Sequence, residues 1–572
     1  MSGTTRQRHA RSRRSRAVRA QAWPATVAPA TPVLLRPAPE QVPIPSRAAL
    51  PPPKRHRLRQ WLRAHWLSLL IVAGLLLVVG LVHAIGYDRF PGRATDDEGT
   101  YVSQAWAVQH WRSLAHYTYW YDHPPVGWIT MAAYNWVTRA FERLPTSVTV
   151  GREFMIWVKL VSAAMVYLLG RRLDFNRFTA SGAVLLFGLS PLAVSFQRMV
   201  YLDNLAVMWT LAALALAASR RKSLAAAVGS ATCFALAVLS KETIAVLFPA
   251  LLLLLWRNTS PRTRRYTIAL FLTVLGALLF TYPLYALLKN ELFEGPNHVS
   301  LIWTIKWQLF DRAPSGSLLD PGSDTHAVAR SWLETDPLLI GAGVLLAPIG
   351  LLIGRTRAVA LALAIQVVML FRNGYLPFPY VIGMLPFAAL TLAGVADQLC
   401  KGPAAMDWLS TVARRGGQLI VVGAVAASVI AVGPAWERGI RQALTEDHSK
   451  PPQEALAYVA KYVPRGSILL VDNNLWTDLV RHGFNPNPVW FYKLDLDPAV
   501  RAKYQNGWRD IDYILLSEYT ATTLKDLPMV MEAVQHSEVV ASFGDGDMTV
   551  RRIIKNAPDQ LDPDPAGGRG RP

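Results

Sequence analysis

The chain has 572 residues, of which 52% are hydrophobic and 17% charged, whereas an ordinary soluble domain carries about 25% charged residues. That deficit excludes an ordinary water-soluble fold and points to a lipid bilayer. The formal net charge of +20 would suit a nucleic-acid binder, but its distribution excludes that reading: Arg and Lys crowd the first 65 residues, where Glu40 is the lone acid, and most of the rest sit in short loops between apolar blocks.

Residues 1–62 are rich in Arg, Ala and Pro and lack apolar periodicity. They read as a disordered, basic cytoplasmic tail. No cleavable apolar core lies near the start, so no signal peptide is expected. Apolar blocks follow at 66–86, 154–170, 177–196, 202–219, 223–240, 243–257, 265–288, 337–354, 357–371, 376–397 and 417–435. Most are about 17–24 residues long, the length that crosses about 30 Å of hydrocarbon. The fold expected is a polytopic α-helical membrane protein with about 11 transmembrane helices.

Alternation from a cytoplasmic tail puts every strongly basic loop inside. These are Arg171-Arg172 to Arg177, Arg220-Arg221-Lys222, Arg257 to Arg265, Arg355 to Arg357, and Lys401 to Arg415. The long or acidic segments then fall outside: 87–153, 289–336 and everything after 436. Residues 63–436 read as the membrane domain. Residues 437–555 read as a small extracytoplasmic α/β domain, and 556–572 as a disordered tail. In that small domain, residues 452–463 are expected to be a helix and Ser467–Val471 and Tyr513–Leu516 strands. A hairpin is expected across Gly544-Asp545-Gly546.

The candidate chemistry lies on the outer face. The first external segment carries Thr95-Asp96-Asp97-Glu98-Gly99-Thr100-Tyr101 and, later, Asp122-His123-Pro124-Pro125. Three adjacent carboxylates repel one another, and near a low-dielectric boundary one of them suits a general base. A solvated acidic turn is the alternative. Arg198 and Asp203 flank the next external turn, as phosphate or sugar contacts or as a helix-capping ion pair. Lys241 and Glu242 occupy the third, where Lys241 either binds phosphate as a point charge or pairs and snorkels. Arg372 adds a fourth external cation. No metal-ligand cluster and no phosphate-loop motif is present, so neither a metal nor a nucleotide cofactor is expected.

The order of these pieces resembles the GT-C superfamily of membrane glycosyltransferases. It is similar to the protein O-mannosyltransferase and lipid A aminoarabinose transferase group. The resemblance runs over about 65–400 and rests on Asp97-Glu98-Gly99-Thr100-Tyr101, His123-Pro124-Pro125, Arg198 to Asp203, and Lys241-Glu242. It implies a sugar donor linked to polyprenyl phosphate and a glycan, lipid or protein acceptor, with membrane lipid around both and no nucleic acid. It implies an inverting displacement with Asp97 as base beside Glu98. His123, Arg198, Lys241 and Arg372 would receive the phosphate, and Asp96, Tyr101, Asp122 and Asp203 would contact substrate. Spacing leaves the base open among Asp96, Asp97 and Glu98. The sequence departs from the aminoarabinose transferase pattern at Thr100, where that group has Arg, and at His123, where it has Lys. A transporter of lipid-linked sugar is the alternative class. It would require buried charges along the spans, of which Lys159 is the clearest example.

Overall fold

A computed structural model describes residues 54–89, 94–296, 298–401, 407–484, 486–522 and 524–555. The remainder of the expected tails, 1–53 and 556–572, lies outside the described residues. The chain divides into two units, 1–64 and 65–572, and the described part of the first is the opening of a helix. That helix starts at Lys54, inside the segment expected to be tail, where Arg, Leu, Gln and Lys are all good helix formers.

In chain order the main helices are α1 (Lys54–Ala84), α2 (Asp96–Trp111), α3 (Val126–Thr138), α4 (Ser147–Arg172), α5 (Arg177–Leu189), α6 (Leu202–Ala217), α7 (Leu224–Val238), α8 (Phe248–Asn258), α9 (Arg264–Leu288), α10 (Gly343–Leu352), α11 (Arg357–Met369), α12 (Val381–Lys401) and α13 (Asp407–Thr445). Helix occupies every apolar block. The block 177–196 is interrupted where Ser190 caps a new helix over Pro191–Phe196, with proline in its first turn. Among the described residues five helical segments are long and apolar enough to cross a membrane. A sixth qualifies if Asp324–Thr335 and Pro337–Leu352, bent by 108°, form one span. Helices α5, α6, α7 and α11 are apolar but shorter. The apolar window of the α12 span is 83% buried and that of α4 56%, whereas those of α1 and α9 are 11% and 17%. So α4 and α12 form the centre, and α1 and α9 turn their apolar faces outward, as lipid contact requires.

Two buried interactions tie the bundle. Asp397 of α12 accepts from Arg355 (2.9 Å), Lys401 (2.5 Å) and Asn176 (2.9 Å), which knits three basic loops together. Lys159 of α4 donates to the Phe187 carbonyl (2.9 Å) and to the Gln197 amide, and sits 3.4 Å from the Phe187 ring centre. Its ammonium is satisfied by neighbouring elements, as a buried charge must be.

Helix α13 runs past the expected boundary at 436. An α/β unit follows, opened by α14 (Lys450–Tyr462). Its strands are β1 (Leu469–Val471), β2 (Val489–Trp490), β3 (Tyr513–Ser517), β4 (Ser537–Phe543) and β5 (Met548–Ile553), with α15 (Asn473–Arg481) after β1. The sheet order is β2-β1-β3-β5-β4, parallel around β1 and antiparallel around β5. The hairpin turn at Gly544-Asp545-Gly546 holds all three residues at positive φ, which favours glycine at two of them. One side of the sheet packs on Trp490, Trp508 and Ile514, the other on Trp476, Leu515 and Val550.

This unit docks on α2 through a close backbone approach ringed by side-chain hydrogen bonds. A Cβ placed on Gly99 would lie 2.3 Å from the Asn474 amide nitrogen and 2.4 Å from the Asn473 carbonyl carbon. Around that contact Asn473 Nδ2 donates to the Asp96 carbonyl (3.2 Å) and to Thr100, and Ser103 pairs with Thr477 (2.9 Å). Any side chain at Gly99 must push α15 away. Gly99→Val is expected to undock the α/β unit, seen as faster limited proteolysis after α13. An unchanged digestion pattern would overturn this account of the interface.

Candidate active site

Helix α2 begins with a capping box. Thr95 Oγ1 accepts from the Glu98 amide (3.4 Å), and the Thr95 amide donates to Glu98 Oε2 (3.3 Å). The three carboxylates therefore lie in the first turn, and a step of about 100° per residue sends each to a different neighbour.

Glu98 turns inward. It is 0% exposed and takes a two-pronged ion pair from Arg152, Nε to Oε1 at 2.8 Å and Nη2 to Oε2 at 2.7 Å, plus the Val200 amide at 3.0 Å. Its lone pairs are committed, so the expectation that Glu98 shares in catalysis is corrected to a structural role. Arg152, a charge inside the apolar α4, was the sequence signal for that partner. Asp96 turns toward the α/β unit and shares its field with Asp472. Burial, then the Asp472 and Asp97 charges, push its carboxyl well above the ordinary range.

Asp97 is exposed and has no hydrogen-bond or ion-pair partner among the described residues. Tyr101, one turn on, lies buried on the same face, with its ring 6.4 Å from Trp128 and 6.1 Å from His123. His123 is held by its backbone carbonyl, which accepts from Tyr119 Oη at 2.6 Å. The same hydroxyl reaches Tyr282 Oη (3.1 Å), which in turn donates to the Tyr121 carbonyl (3.1 Å). This tyrosine net fixes the 119–123 segment, and the Val126 amide bonds to the Leu239 carbonyl (3.0 Å) to seat the Pro-Pro turn beside Lys241.

His123 bridges the third external turn. Its Nδ1 lies 3.0 Å from Glu242 Oε2 and its Nε2 lies 2.8 Å from Lys241 Nζ. Burial raises the Glu242 pKa, but the His123 imidazole and then the Lys241 ammonium outweigh it and hold it to about 2. Burial lowers Lys241, and the charges of Asp203, Glu242, Asp97 and Asp122 more than offset it, so it stays protonated. Burial likewise opposes the His123 imidazolium, and Glu242 raises its proton affinity in return. The close approach of an ammonium to Nε2 makes that nitrogen an acceptor. The Nδ1 proton is directed at Glu242, whose charge outweighs burial and raises the imidazole's pKa above its ordinary value.

The sequence-predicted residues that come within one another's reach are thus Asp97, Tyr101, Asp122, His123, Asp203 and Lys241, with Glu242 beside them. Asp122, like Asp97, has no hydrogen-bond or ion-pair partner among the described residues. Asp203, in the first turn of α6, lies in the field of Lys241 and His123. Arg372 is exposed, and Tyr380 senses both it and Asp203, which sets Arg372 at the rim. Arg198 does not join them. It is 1% exposed and donates to the Ala443 carbonyl (2.9 Å) and to the Ile85 carbonyl, so it ties α13 to the end of α1. The expectation of a phosphate contact there is corrected: carbonyls left over at helix ends attract a guanidinium as readily as a ligand does.

Sequence reasoning expected the external α/β domain to help position an acceptor but named none of its residues at the site. Tyr492, just after β2, lies 6.1 Å ring to ring from Trp120 and in the field of Asp96, Asp122 and Asp97. Lys493 Nζ sits 3.4 Å from the Trp120 ring centre and 3.5 Å from Asp497. Burial lowers the Lys493 pKa to about 8 against those carboxylates. Among the described residues no three metal-ligating side chains converge.

A family profile described as dolichyl-phosphate-mannose-protein mannosyltransferase matches residues 122–286. Among curated protein sequences none matches the chain. The fold is similar to the crystal structure of ArnT from Cupriavidus metallidurans bound to undecaprenyl phosphate. The TM-score is 0.54 at 16% identity, over 85% of this chain and 98% of that one. The apo state of the same protein gives 0.54 at 16% identity over 86% and 98%. The Archaeoglobus fulgidus oligosaccharyltransferase in its apo form gives 0.49 at 12% identity over 85% and 74%.

Proposed function

We propose that this chain, a member of the GT-C superfamily by its fold, moves a sugar from a polyprenyl-phosphate donor to an acceptor hydroxyl or amine at the extracytoplasmic face of the membrane. Asp97 acts as general base and takes the acceptor proton. The freed oxygen or nitrogen attacks the anomeric carbon, the bond from that carbon to the phosphate oxygen breaks, and the electron pair leaves with polyprenyl phosphate. The step inverts the anomeric carbon. The protein supplies positioned charge and needs no metal for it.

The observation that carries this reading is an unbonded Asp97 whose charge reaches a buried, protonated Lys241. Charge developing on a departing phosphate is stabilised best by a cation fixed in a low-dielectric wall. His123 orients that cation, and Arg372 at the rim offers a second one to a lipid phosphate arriving from the outer leaflet. Tyr101, Asp122 and Asp203 contact the sugar. The positive-inside charge of the loops supports the sidedness, with the N-terminus cytoplasmic and the α/β unit outside. A transporter reading gains no comparable support, because Lys159, its clearest buried charge, is already satisfied by Phe187 and Gln197.

The test is a panel of polyprenyl-phosphate sugars offered to the purified protein. At least one is expected to release polyprenyl phosphate. Lys241→Gln is expected to weaken donor binding by about tenfold or more, the loss of one charge-assisted contact. Equal donor affinity in that variant would remove Lys241 from the phosphate site. No release from any donor would overturn the function.

A further inference from the structure

The α/β unit and the first turn of α2 enclose a cleft of about 260 Å³. It opens at the carboxyl ends of the parallel strands β1 and β3, the edge of an open α/β sheet where ligands bind. Asp96, Asp472, Asn474, Ser517, Tyr519 and Thr520 line it. Asp472 follows β1 directly and is 1% exposed. Its Oδ2 accepts the Ser517 amide at 2.9 Å, while its Oδ1 has no hydrogen-bond partner. Asn474 Oδ1 is likewise buried and unpartnered. Two buried acceptors without donors in one cleft call for a ligand that brings hydrogen-bond donors. Ser517 Oγ and Thr520 Oγ1, 3.0 Å apart, add hydroxyls that both give and accept, and Tyr519 stands 66% exposed at the rim.

We propose that this cleft is the acceptor subsite, and that the acceptor is a neutral polyhydroxylated chain, a glycan, lying across Asp96 with its terminal hydroxyl at Asp97. This rests on the glycosyltransferase reading above. Asp96, which lines the cleft, is the chain neighbour of Asp97, so the cleft and the proposed base share the first turn of α2. Among the described residues no Lys or Arg lines the cleft, and its three carboxylates, Asp96, Asp472 and Asp547, disfavour an anionic acceptor such as a phosphorylated lipid. A bound cation is disfavoured in turn, since no three ligating side chains converge there.

The experiment uses the full-length protein in lipid nanodiscs with mannotriose, maltotriose and galactotriose as probes, read by saturation-transfer NMR. At least one is expected to bind, and undecaprenyl phosphate binding is measured in parallel. Tyr519→Ala and Asp472→Asn are each expected to weaken the sugar by about tenfold while leaving undecaprenyl phosphate affinity unchanged. Tyr519→Ala, at an exposed rim position, keeps the test decisive if Asp472→Asn fails to fold. The proposal is overturned if no trisaccharide binds, if binding survives Tyr519→Ala, or if a lysine-rich peptide or Mg²⁺ displaces the sugar and binds in its place. A protein that binds the sugar at this cleft yet releases no polyprenyl phosphate from any donor refutes the transferase reading and leaves the cleft a glycan site.

Discussion

Asp97→Asn is expected to lower sugar transfer by about 10²–10⁴-fold, the usual contribution of a positioned general base. The fold should be unaffected, because Asp97 holds no hydrogen bond or ion pair that the amide would break. Donor binding should also persist, since the cations that receive the phosphate remain. The measurement is single-turnover release of polyprenyl phosphate with acceptor present, beside a thermal unfolding curve. Asp122→Asn is the comparison: it too removes an unpartnered carboxylate from the field of Lys241, and as a proposed sugar contact it is expected to weaken donor binding rather than the chemical step. Full turnover in Asp97→Asn together with loss in Asp122→Asn would move the base to Asp122. Full turnover in both would remove the base from this cluster.

Glu98→Gln is expected to destabilise the protein by about 3–5 kcal/mol, the cost of leaving a buried charge without its partner. Arg152 is 1% exposed and loses the carboxylate that faces two of its nitrogens. The Val200 amide and the capping box at Thr95 are weakened by the same change. The expected result is a lower unfolding temperature and poor recovery from membranes, with activity falling in proportion to folded protein. Replacing both partners by leucine should recover part of the stability, because a well-packed apolar pair avoids the burial cost of both charges. If Glu98→Gln instead abolished transfer at an unchanged unfolding temperature, Glu98 would belong to the chemistry.

These two variants, one residue apart, differ in kind because of where α2 lies. Adjacent positions on a helix point about 100° apart. Glu98 and Val102 therefore meet the membrane bundle, Asp96 and Thr100 meet α15, and Asp97 and Tyr101 lie on the side of His123. Three carboxylates in a row read alike in the sequence, and only their surroundings separate a buried anchor, a cleft wall and an unpartnered carboxylate.

Much was legible without coordinates. The apolar blocks and basic loops follow from the cost of exposing polar groups to lipid, which acts on composition residue by residue. Strands β1, β3 and the β4–β5 hairpin followed from β-branched runs and a glycine turn, whereas two-residue β2 was too short to leave a pattern. The convergence of His123 with Lys241 and Glu242 joins segments about 120 residues apart, and no local signal marks it. Arg198 looked like a ligand contact because it is a cation in an external turn, yet the ends of α1 and α13 claim it. The sequence alone determined which segments are apolar, which loops are basic and which chemical groups stand near the outer boundary, because solvation and charge act locally. Only the tertiary structure decided which carboxylate is free, which arginine is spent and that the α/β unit walls the site, because those depend on partners that the chain brings together from far apart.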